Sequence, residues 1–323
     1  MSGNLVVSLD FELMWGVRDH RSLSDYGDAV LGGRQAIPLI LERFERAGIR
    51  ATWATVGLLF AKSRDQMLEY APDDRPRYEN PALSPYSDIE KGLIGDDEAS
   101  DPYHFGASLI DRIASTPGQE IASHTYSHYY CMEPGASVSS FRADLSSAKL
   151  IAENFGQEIR SLVFPRNQAR PEFIEQAKTL NFSVYRGDAQ GSLYRSRSGV
   201  NTTRTLRLAR FIDGAVPIGP PQVGTAETEL GSVNIPASRF LRPWRRRTAI
   251  YNRLHVKRVL GEMLHAAKIG GCYHLWWHPH NFGREPAQNL RQLDEVIAQF
   301  IACRDSYGMT SRSMNDFSVL TPD

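Results

Sequence analysis

The sequence is poor in cysteine, and its few cysteines lie far apart. Cys131, Cys272 and Cys303 are the 3 cysteines in 323 residues, and no two of them form a Cys-x-x-Cys pair. An odd and scattered set of this kind does not make a disulfide framework or a thiolate zinc site. It is typical of a protein from a reducing compartment.

Net charge and long hydrophobic runs are also lacking. Lys plus Arg and Asp plus Glu number 37 each, so no overall field attracts the chain to nucleic acid or anionic lipid. The longest apolar stretch, 51–61, is far shorter than the roughly 20 residues of a membrane-spanning helix. No basic leader precedes the first apolar stretch, so we do not expect a signal peptide. The sequence therefore predicts a cytoplasmic protein that binds no nucleic acid and has no membrane span.

Short strands of buried type alternate with amphipathic helices along much of the chain. The patterns predict strands at 5–10, 51–56, 120–123, 161–164, 182–185 and 272–277. They predict helices at 38–44 (ending at Gly48), 109–113, 138–155, 171–180, 250–267 and 288–304. This alternation is typical of an α/β protein with a parallel sheet or barrel inside a layer of helices.

Two stretches interrupt the alternation. Residues 62–105 are acidic and rich in proline, and residues 187–249 are rich in Arg, Gly and Pro. We interpret both as insertions. No composition shift marks a second domain, so we expect residues 1–323 to form a single catalytic domain.

Two carboxylates, Asp10 and Glu12, lie two residues apart at the carboxyl end of the first predicted strand. Side chains alternate across a strand, so both should project to the same face. In parallel α/β barrels the carboxyl ends of the strands form the rim where active sites are built.

Two histidines with a spacing of four residues, His124 and His128, follow the strand at 120–123. On a helix this spacing places two imidazoles on one face, where both can bind one metal ion. A second pair with the same spacing, His274 and His278, lies on an aromatic strand. Four residues of strand span about 13 Å, too far for chelation of one ion. We therefore expect the metal at the first pair only.

One carboxylate and two imidazoles leave a coordination position open, as a catalytic zinc site requires. The remaining carboxylate is then available as a general base. His278, at the end of the late strand, is placed to give a proton to a leaving group.

These residues resemble the polysaccharide deacetylases of the NodB-homology type, carbohydrate esterase family 4. Residues 8–12, Ser-Leu-Asp-Phe-Glu, are similar to the first motif of the family, and His124-Thr125-Tyr126-Ser127-His128 matches the second. Residues 164–167, Phe-Pro-Arg-Asn, resemble the third motif, and Leu275-Trp276-Trp277-His278 the last. The resemblance extends over nearly the whole chain.

The resemblance implies a distorted (β/α)7-type barrel and removal of an N-acetyl group from an amino sugar. Carried over by motif, Asp10 is the base, oriented by Arg166. Glu12, His124 and His128 hold zinc or another divalent transition metal, and His278 is the acid. Phe11 separates the two acidic residues and Glu replaces the second Asp, so which carboxylate is base and which is ligand stays open.

Further contacts follow from the neighbouring residues. We expect Trp276 or Trp277, His280 and Asn281 to contact the substrate, and Asp188 to hold His278. A basic run at 239–258 would bind a phosphate of a nucleotide-linked or lipid-linked sugar, or else pair with the acidic stretch 65–101.

The function predicted from the sequence is hydrolysis of an N-acylated sugar, a precursor in the biosynthesis of a bacterial surface polysaccharide. Two alternatives remain open at this level. One is metal-dependent hydrolysis of a non-sugar carbon–nitrogen bond, as in a formamide or a cyclic ureide. The other is a barrel that has lost catalysis and binds glycans.

Overall fold

The computed structural model describes residues 2–191, 193–198 and 203–320. The strands are β1 (Asn4–Phe11), β2 (Ala51–Thr55), β3 (Gln119–Ser123), β4 (Ser161–Leu162), β5 (Val184–Gly187), β6 (Glu227–Glu229), β7 (Ser232–Pro236), β8 (Arg239–Phe240), β9 (Cys272–Trp277) and β10 (Thr310–Arg312). The helices are α1 (Leu23–Ala47), α2 (Arg64–Glu69), α3 (Tyr86–Glu90), α4 (Ala107–Ser115), α5 (Val138–Asn154), α6 (Pro171–Thr179), α7 (Arg204–Asp213), α8 (Ala249–Ile269) and α9 (Pro286–Tyr307). Within these residues, no helix has the length and apolar character needed to cross a membrane.

The sheet runs in the order β6-β7-β5-β4-β3-β2-β1-β9-β8, and β10 pairs with the start of β1. β1 to β5, β7, β8 and β9 pair in parallel, whereas β6 is antiparallel to β7.

Residues 232–240 connect the two ends of this sheet. β7 pairs with β5, and two residues later β8 pairs with β9. At the step between them, Ala237 donates a backbone hydrogen bond to Gly187 and Ser238 donates one to His274. Residues 232–240 therefore supply the seventh parallel strand, which joins β5 to β9 and closes the sheet. The expected distorted (β/α)7-type barrel is confirmed.

The predicted insertion at 187–249 is therefore only partly an insertion. Its residues 232–240 supply barrel strands, whose short length and interrupting Pro236 hid the strand pattern. The stretch 62–105 contains two short α-helices, α2 and α3, and no strand among its residues, all of which the structure describes.

The first helix is longer than the sequence pattern predicted. α1 begins at Leu23, after a capping box formed by Ser22 and Asp25, and Pro38 lies inside it rather than at its start. The predicted C-terminal glycine is confirmed, since Gly48 adopts the left-handed conformation with a φ of 68°.

The barrel interior is apolar at the bottom and polar at the top. Along β1, Val6 packs with the apolar interior cluster, whereas Ser8 and Asp10 lie buried above it. Alternate residues Leu5, Val7 and Leu9 pack against the outer helices. The alternation predicted for the first strand thus places Asp10 inside the barrel at its carboxyl end.

Candidate functional site

A cavity of about 350 Å³ opens at the carboxyl ends of the barrel strands. The side chains that line it include Asp10 and Glu12 after β1, His124 and His128 after β3, and His278 and His280 after β9. Three stretches far apart in sequence therefore meet at one rim, as the strand assignments predicted.

Glu12 lies against both histidines of the first pair. Its Oε2 atom is 3.0 Å from Nε2 of His128 and 3.5 Å from Nε2 of His124. All three side chains are buried, and their ligand atoms lie within 4.8 Å of one another. Glu12, rather than Asp10, is the carboxylate that can share an ion with this pair.

The two histidines do not lie on a helix, which corrects the expected local structure. Residues 124–130 form an irregular loop, in which Thr125 and His128 have φ values of 64° and 60°. The Asp144 carboxylate of α5 accepts hydrogen bonds from the backbone N–H groups of Tyr126 and Ser127 and from the Ser127 hydroxyl. This buried acceptor replaces helical hydrogen bonds and holds the loop in shape.

The hydrogen-bonding state of the imidazoles fits a metal ion. Nδ1 of His124 donates to the Val163 carbonyl at 2.8 Å, which leaves the Nε2 lone pair directed at the cavity. Nδ1 of His128 is buried and has no hydrogen-bond partner among the described residues. Its other ring nitrogen, Nε2, is the one that contacts Glu12. Two imidazoles and one carboxylate are the donors of a catalytic zinc site with an open position.

Electrostatics keeps the donor atoms in the protonation states that a metal requires. Burial alone would raise the pKa of the Glu12 carboxyl, but the neighbouring imidazoles of His278, His124 and His128 hold it well below its ordinary value. Burial lowers the pKa of His128 and outweighs the opposing effect of Glu12. The site therefore favours an ionised Glu12 and a neutral His128 near neutral pH.

Asp10 is held by an arginine on β5. Arg186 donates hydrogen bonds of 2.7 and 2.8 Å to the two oxygens of the carboxylate, and both side chains are almost fully buried. Burial raises the pKa of the Asp10 carboxyl, yet Arg186 and the nearby histidines outweigh it and the net pKa is lowered. The carboxylate is thus fixed in position and ionised.

A buried polar network supports this pair from below. Arg186 also donates to the Asn167 side-chain oxygen and to the Ser8 hydroxyl, and Ser8 lies 2.8 Å from Nε2 of His274. Burial, with the positive charge of Arg186, lowers the pKa of His274 to about 3. His274 is therefore neutral and accepts from Ser8, and it is not a metal ligand, in agreement with the strand argument.

The expectation that Arg166 orients Asp10 is wrong. The Arg166 guanidinium pairs with Asp19 and Glu133 and lies 4.2 Å from the Tyr130 ring centroid. Arg166 has a φ of 55°, a left-handed turn that directs it to the mouth of the cavity. The signal for Arg186 was present in the sequence, since an arginine inside a buried strand needs a buried partner.

His278 lies beside both carboxylates of the site. Its Nε2 atom is 3.6 Å from Asp10 Oδ2 and also 3.6 Å from Glu12 Oε1. The Asn281 amide contacts Nδ1 at 3.1 Å, which places the imidazole proton on the nitrogen that faces Asp10. Asp188 was expected to hold His278, but this expectation is wrong. Its carboxylate instead accepts hydrogen bonds from the backbone N–H and the hydroxyl of Ser196.

His280 and Asn281 both line the cavity, as expected of residues near a substrate. The His280 ring stacks parallel to that of His278, with ring centroids 5.1 Å apart, and its Nε2 is 3.9 Å from Glu12 Oε1. Burial and the neighbouring His278 lower the pKa of His280 to about 3. Glu12, His278 and His280 form a second group with metal-ligand spacing, although His278 is one-quarter exposed.

The two tryptophans of β9 point in opposite directions. Trp277 is fully buried against Phe44 and Phe282 in the helix layer, so the prediction that it contacts substrate is wrong. Trp276 lines the cavity beside Phe240 and lies 4.3 Å from the Arg186 guanidinium. Strand alternation places Trp276 on the same side as His274 and His278.

A glycine gives Glu12 its space. A Cβ atom on Gly16 would lie 1.9 Å from Cδ of Glu12, closer than any real contact. The carboxylate can therefore reach the histidines only because residue 16 has no side chain.

The basic run 239–258 divides into two parts. Arg239 and Arg258 form a buried ionic cluster with Asp213 and Glu262, so their acidic partners are not those of the stretch 65–101. Arg245 instead lines the cavity described above, and Arg242 lines a larger groove beside it.

Comparisons with known proteins agree with this geometry. The sequence model of the family described as polysaccharide deacetylase matches residues 25–185, about half of the chain. A search of curated proteins gave no significant match. The crystal structure of a candidate polysaccharide deacetylase from Mycobacterium smegmatis is 14% identical, with a TM-score of 0.62 over 99% of this chain and 90% of that one.

A second solved structure, a GH57-type branching enzyme from Pyrococcus horikoshii, is also 14% identical, with a TM-score of 0.52 over 100% of this chain and 71% of that one. At this identity the two solved structures show a shared fold. The match to the family sequence model identifies the chain as a member of the polysaccharide deacetylase family of the NodB-homology type, carbohydrate esterase family 4, whose members deacetylate carbohydrates and generally use a divalent metal ion.

Proposed function

We propose that this protein is a zinc-dependent, or other divalent-metal-dependent, N-deacetylase of an N-acylated amino sugar. One observation carries the proposal. A carboxylate fixed by an arginine, Asp10, lines the same cavity as a donor set for a metal ion and a histidine, His278, which lies 3.6 Å from Asp10. A base, a metal position and an acid are the three groups that amide hydrolysis by water needs.

Glu12, His124 and His128 are the residues that would hold the ion. A divalent metal bound there supplies a water of lowered pKa and a positive charge for the developing oxyanion. Asp10 is proposed as the base that accepts the proton of the attacking water. Its lowered pKa keeps it ionised and able to accept, and the two hydrogen bonds from Arg186 fix its direction.

His278 is proposed as the acid that protonates the departing amine. The contact of Asn281 with Nδ1 and the stacked His280 ring hold the imidazole in one orientation. The Tyr26 hydroxyl donates to Asn281 at 3.5 Å, so the support of the acid extends to α1. Asp10 would accept the proton of the water, and His278, protonated on both nitrogens, would give its Nε2 proton to the amine while Nδ1 donates to the Asn281 side-chain oxygen.

The open end of the cavity fits a sugar. Trp276 offers an aromatic face beside Asp10 and His278, and aromatic faces commonly pack on sugar rings. We propose that the substrate is a precursor of a bacterial surface polysaccharide, carried in nucleotide-linked or lipid-linked form, and that the protein works in the cytoplasm.

An assay on purified protein tests the proposal. Protein loaded with zinc should release acetate and a free amine from an N-acetylated amino sugar, tested free, nucleotide-linked and lipid-linked. Asp10→Asn should keep stoichiometric metal but lose turnover by about 10²- to 10⁴-fold, the usual share of general-base catalysis. Glu12→Gln should lose both metal and turnover.

Other outcomes would overturn the proposal. Absence of product from every sugar form, while a formamide or ureide is hydrolysed, would identify a different amidohydrolase. Glycan binding with no turnover in the metal-loaded protein would identify a barrel that has lost catalysis.

A further inference from the structure

Helix α7 lies on the surface with an apolar face that the described part of the chain covers only where Phe211 stacks on Tyr251. Leu208 is 58% exposed, Ile212 is 41% exposed and Phe211 is 37% exposed, and they share one side of the helix. Asp213 is the one residue of this ten-residue helix that is buried. Single exposed apolar side chains are ordinary, but a whole helix face is not.

The apolar face continues after the helix and onto α8. Val216 and Ile218, just beyond α7, are 52% and 64% exposed. On α8, Ile250 and Leu254 lie one turn apart and are 77% and 44% exposed. The two helices adjoin, since Phe211 and Tyr251 stack with ring centroids 4.0 Å apart and the Tyr251 hydroxyl donates to the Phe211 carbonyl.

Cations outnumber acids on the segments that carry this face. The exposed basic residues on these segments are Arg204, Arg207, Arg245, Arg246, Arg247, Arg253 and Lys257. Within the described chain, none of them forms an ion pair with a carboxylate. Asp213 is the sole acidic residue in 203–226 and 230–261, and it is consumed by the buried cluster with Arg239 and Arg258.

We propose that α7 and the start of α8 form a docking surface for an anionic lipid bilayer. An amphipathic helix with apolar side chains on one face and arginines around them lies in the interface plane and buries the apolar face among the acyl chains. The guanidinium groups then meet the lipid phosphates. The near-zero net charge of the whole chain hides this local concentration of positive charge.

The position of the surface gives the docking a use. Arg207 and Arg210 of α7 also line a groove of about 870 Å³ that adjoins the catalytic cavity and shares Arg166, Asn167 and Trp276 with it. Docking through α7 would bring the mouth of this groove to the bilayer. A substrate with a lipid anchor could then enter the site without leaving the membrane.

Vesicle sedimentation tests the surface without any assay of activity. The probes are vesicles of phosphatidylcholine and vesicles in which a third of the lipid is phosphatidylglycerol. The full chain should bind the anionic vesicles and not the neutral ones, and added salt should weaken the binding. Leu208→Gln with Ile212→Gln should weaken it at least about tenfold, since two apolar side chains no longer leave water.

Matched variants give the controls. Leu150 on α5 is 57% exposed, so Leu150→Gln makes a similar change elsewhere and should leave vesicle binding unchanged. Arg246→Gln with Arg247→Gln should weaken binding, whereas Arg112→Gln, an exposed site on α4, should not.

Three results would overturn the proposal. The first is no binding to anionic vesicles, and the second is binding that the α7 double variant does not weaken. The third is self-association in analytical ultracentrifugation that this variant abolishes, which would make the face a contact between copies of the chain.

Discussion

Arg186 and Asp10 form a bidentate ion pair in the barrel interior, with hydrogen bonds of 2.7 and 2.8 Å between β5 and β1. The pair joins strands that are not neighbours in the sheet, so it spans the interior rather than following the hydrogen-bond ladder. Arginine suits this position because its planar fork matches a carboxylate and it stays charged when buried. The pair fixes both the direction and the ionisation of the proposed base.

Replacing Arg186 should therefore change the pH dependence of activity. In Arg186→Met the burial of Asp10 is opposed only by the nearby histidines, so the pKa of Asp10 rises. The base must be ionised to act, so the acid limb of the kcat/KM profile should move to higher pH. Stability should fall by about 3–5 kcal/mol, because a buried charge loses its partner.

Arg166→Met is the matched control for this prediction. Arg166 pairs with Asp19 and Glu133 and not with Asp10, so the acid limb should keep its position. Arg186→Gln, which removes the charge but keeps a hydrogen-bond donor, serves if the Met variant is too unstable to assay. An acid limb that moves in Arg166→Met but not in the Arg186 variants would contradict the assignment.

Gly16→Ala should weaken metal binding while the fold persists. The new Cβ would overlap the Glu12 carboxylate and push it away from His124 and His128. Metal content after dialysis, measured by elemental analysis, should fall at least about tenfold relative to the wild type. Changes to residues that support a metal ligand commonly have effects of this size.

Gly261→Ala provides the contrast. A Cβ at Gly261, in the middle of α8, meets nothing within 4 Å. This variant should keep its metal and gain roughly 0.5–1 kcal/mol of stability from better helix propensity. Equal metal retention in the two variants would show that Glu12 is not confined by Gly16.

Substitution of Trp276 should affect substrate binding, whereas substitution of Trp277 should affect stability. Trp276→Ala should raise KM for the sugar with a small effect on the thermal midpoint, since Trp276 lines the cavity. Trp277→Ala should cost about 3–5 kcal/mol of stability, because Trp277 is fully buried between Phe44 and Phe282. Steady-state kinetics and thermal denaturation of both variants check this; a reversed pattern would refute the orientation of β9.

Asp144 predicts a stability difference that depends on pH. Burial raises the pKa of this carboxyl to about 6, despite hydrogen bonds from Ser127 and Tyr126. A raised folded-state pKa favours folding below the unfolded pKa of 3.8, and the advantage disappears as pH rises through about 6. Between about pH 4 and pH 7, the free energy of unfolding of the wild type should therefore fall by on the order of 3 kcal/mol relative to that of the Asp144→Asn variant.

Urea denaturation at several pH values measures this difference. The asparagine that replaces Asp144 in the variant cannot titrate, but its side-chain oxygen still accepts the backbone hydrogen bonds. If the free energy of unfolding depends on pH in the same way in both proteins, the pKa of Asp144 is not raised by folding and the prediction is wrong.

The sequence was sufficient for the features that depend on local periodicity. The alternation of buried strands and amphipathic helices predicted a parallel sheet or barrel, and the family resemblance selected the barrel. The position of Asp10 and Glu12 after the first strand predicted the rim of the site. The spacing of His124 and His128 predicted a pair of neighbouring imidazoles, and the structure places their ring centroids 5.0 Å apart.

The errors arose where a contact joins distant segments. Arg166 and Arg186 are both arginines near strand ends. The buried strand around Arg186 indicated that it has a buried partner, but only the three-dimensional path of β5 shows that this partner is Asp10. The loop at 124–130 depends on Asp144, which lies on a later helix and leaves no local signal. Trp277 could have been excluded, because the alternation that places His278 in the cavity turns Trp277 outward.

The parallel pairing of β1 with β9 has a consequence for synthesis on the ribosome. Leu9 lies opposite Trp277, so the base is translated some 270 residues before its acid partner. A nascent chain that has emerged only as far as α5 already contains Glu12, His124 and His128 but lacks both Arg186 and His278. Interrupted translation would therefore leave a polypeptide with every proposed metal ligand and no means of completing the reaction.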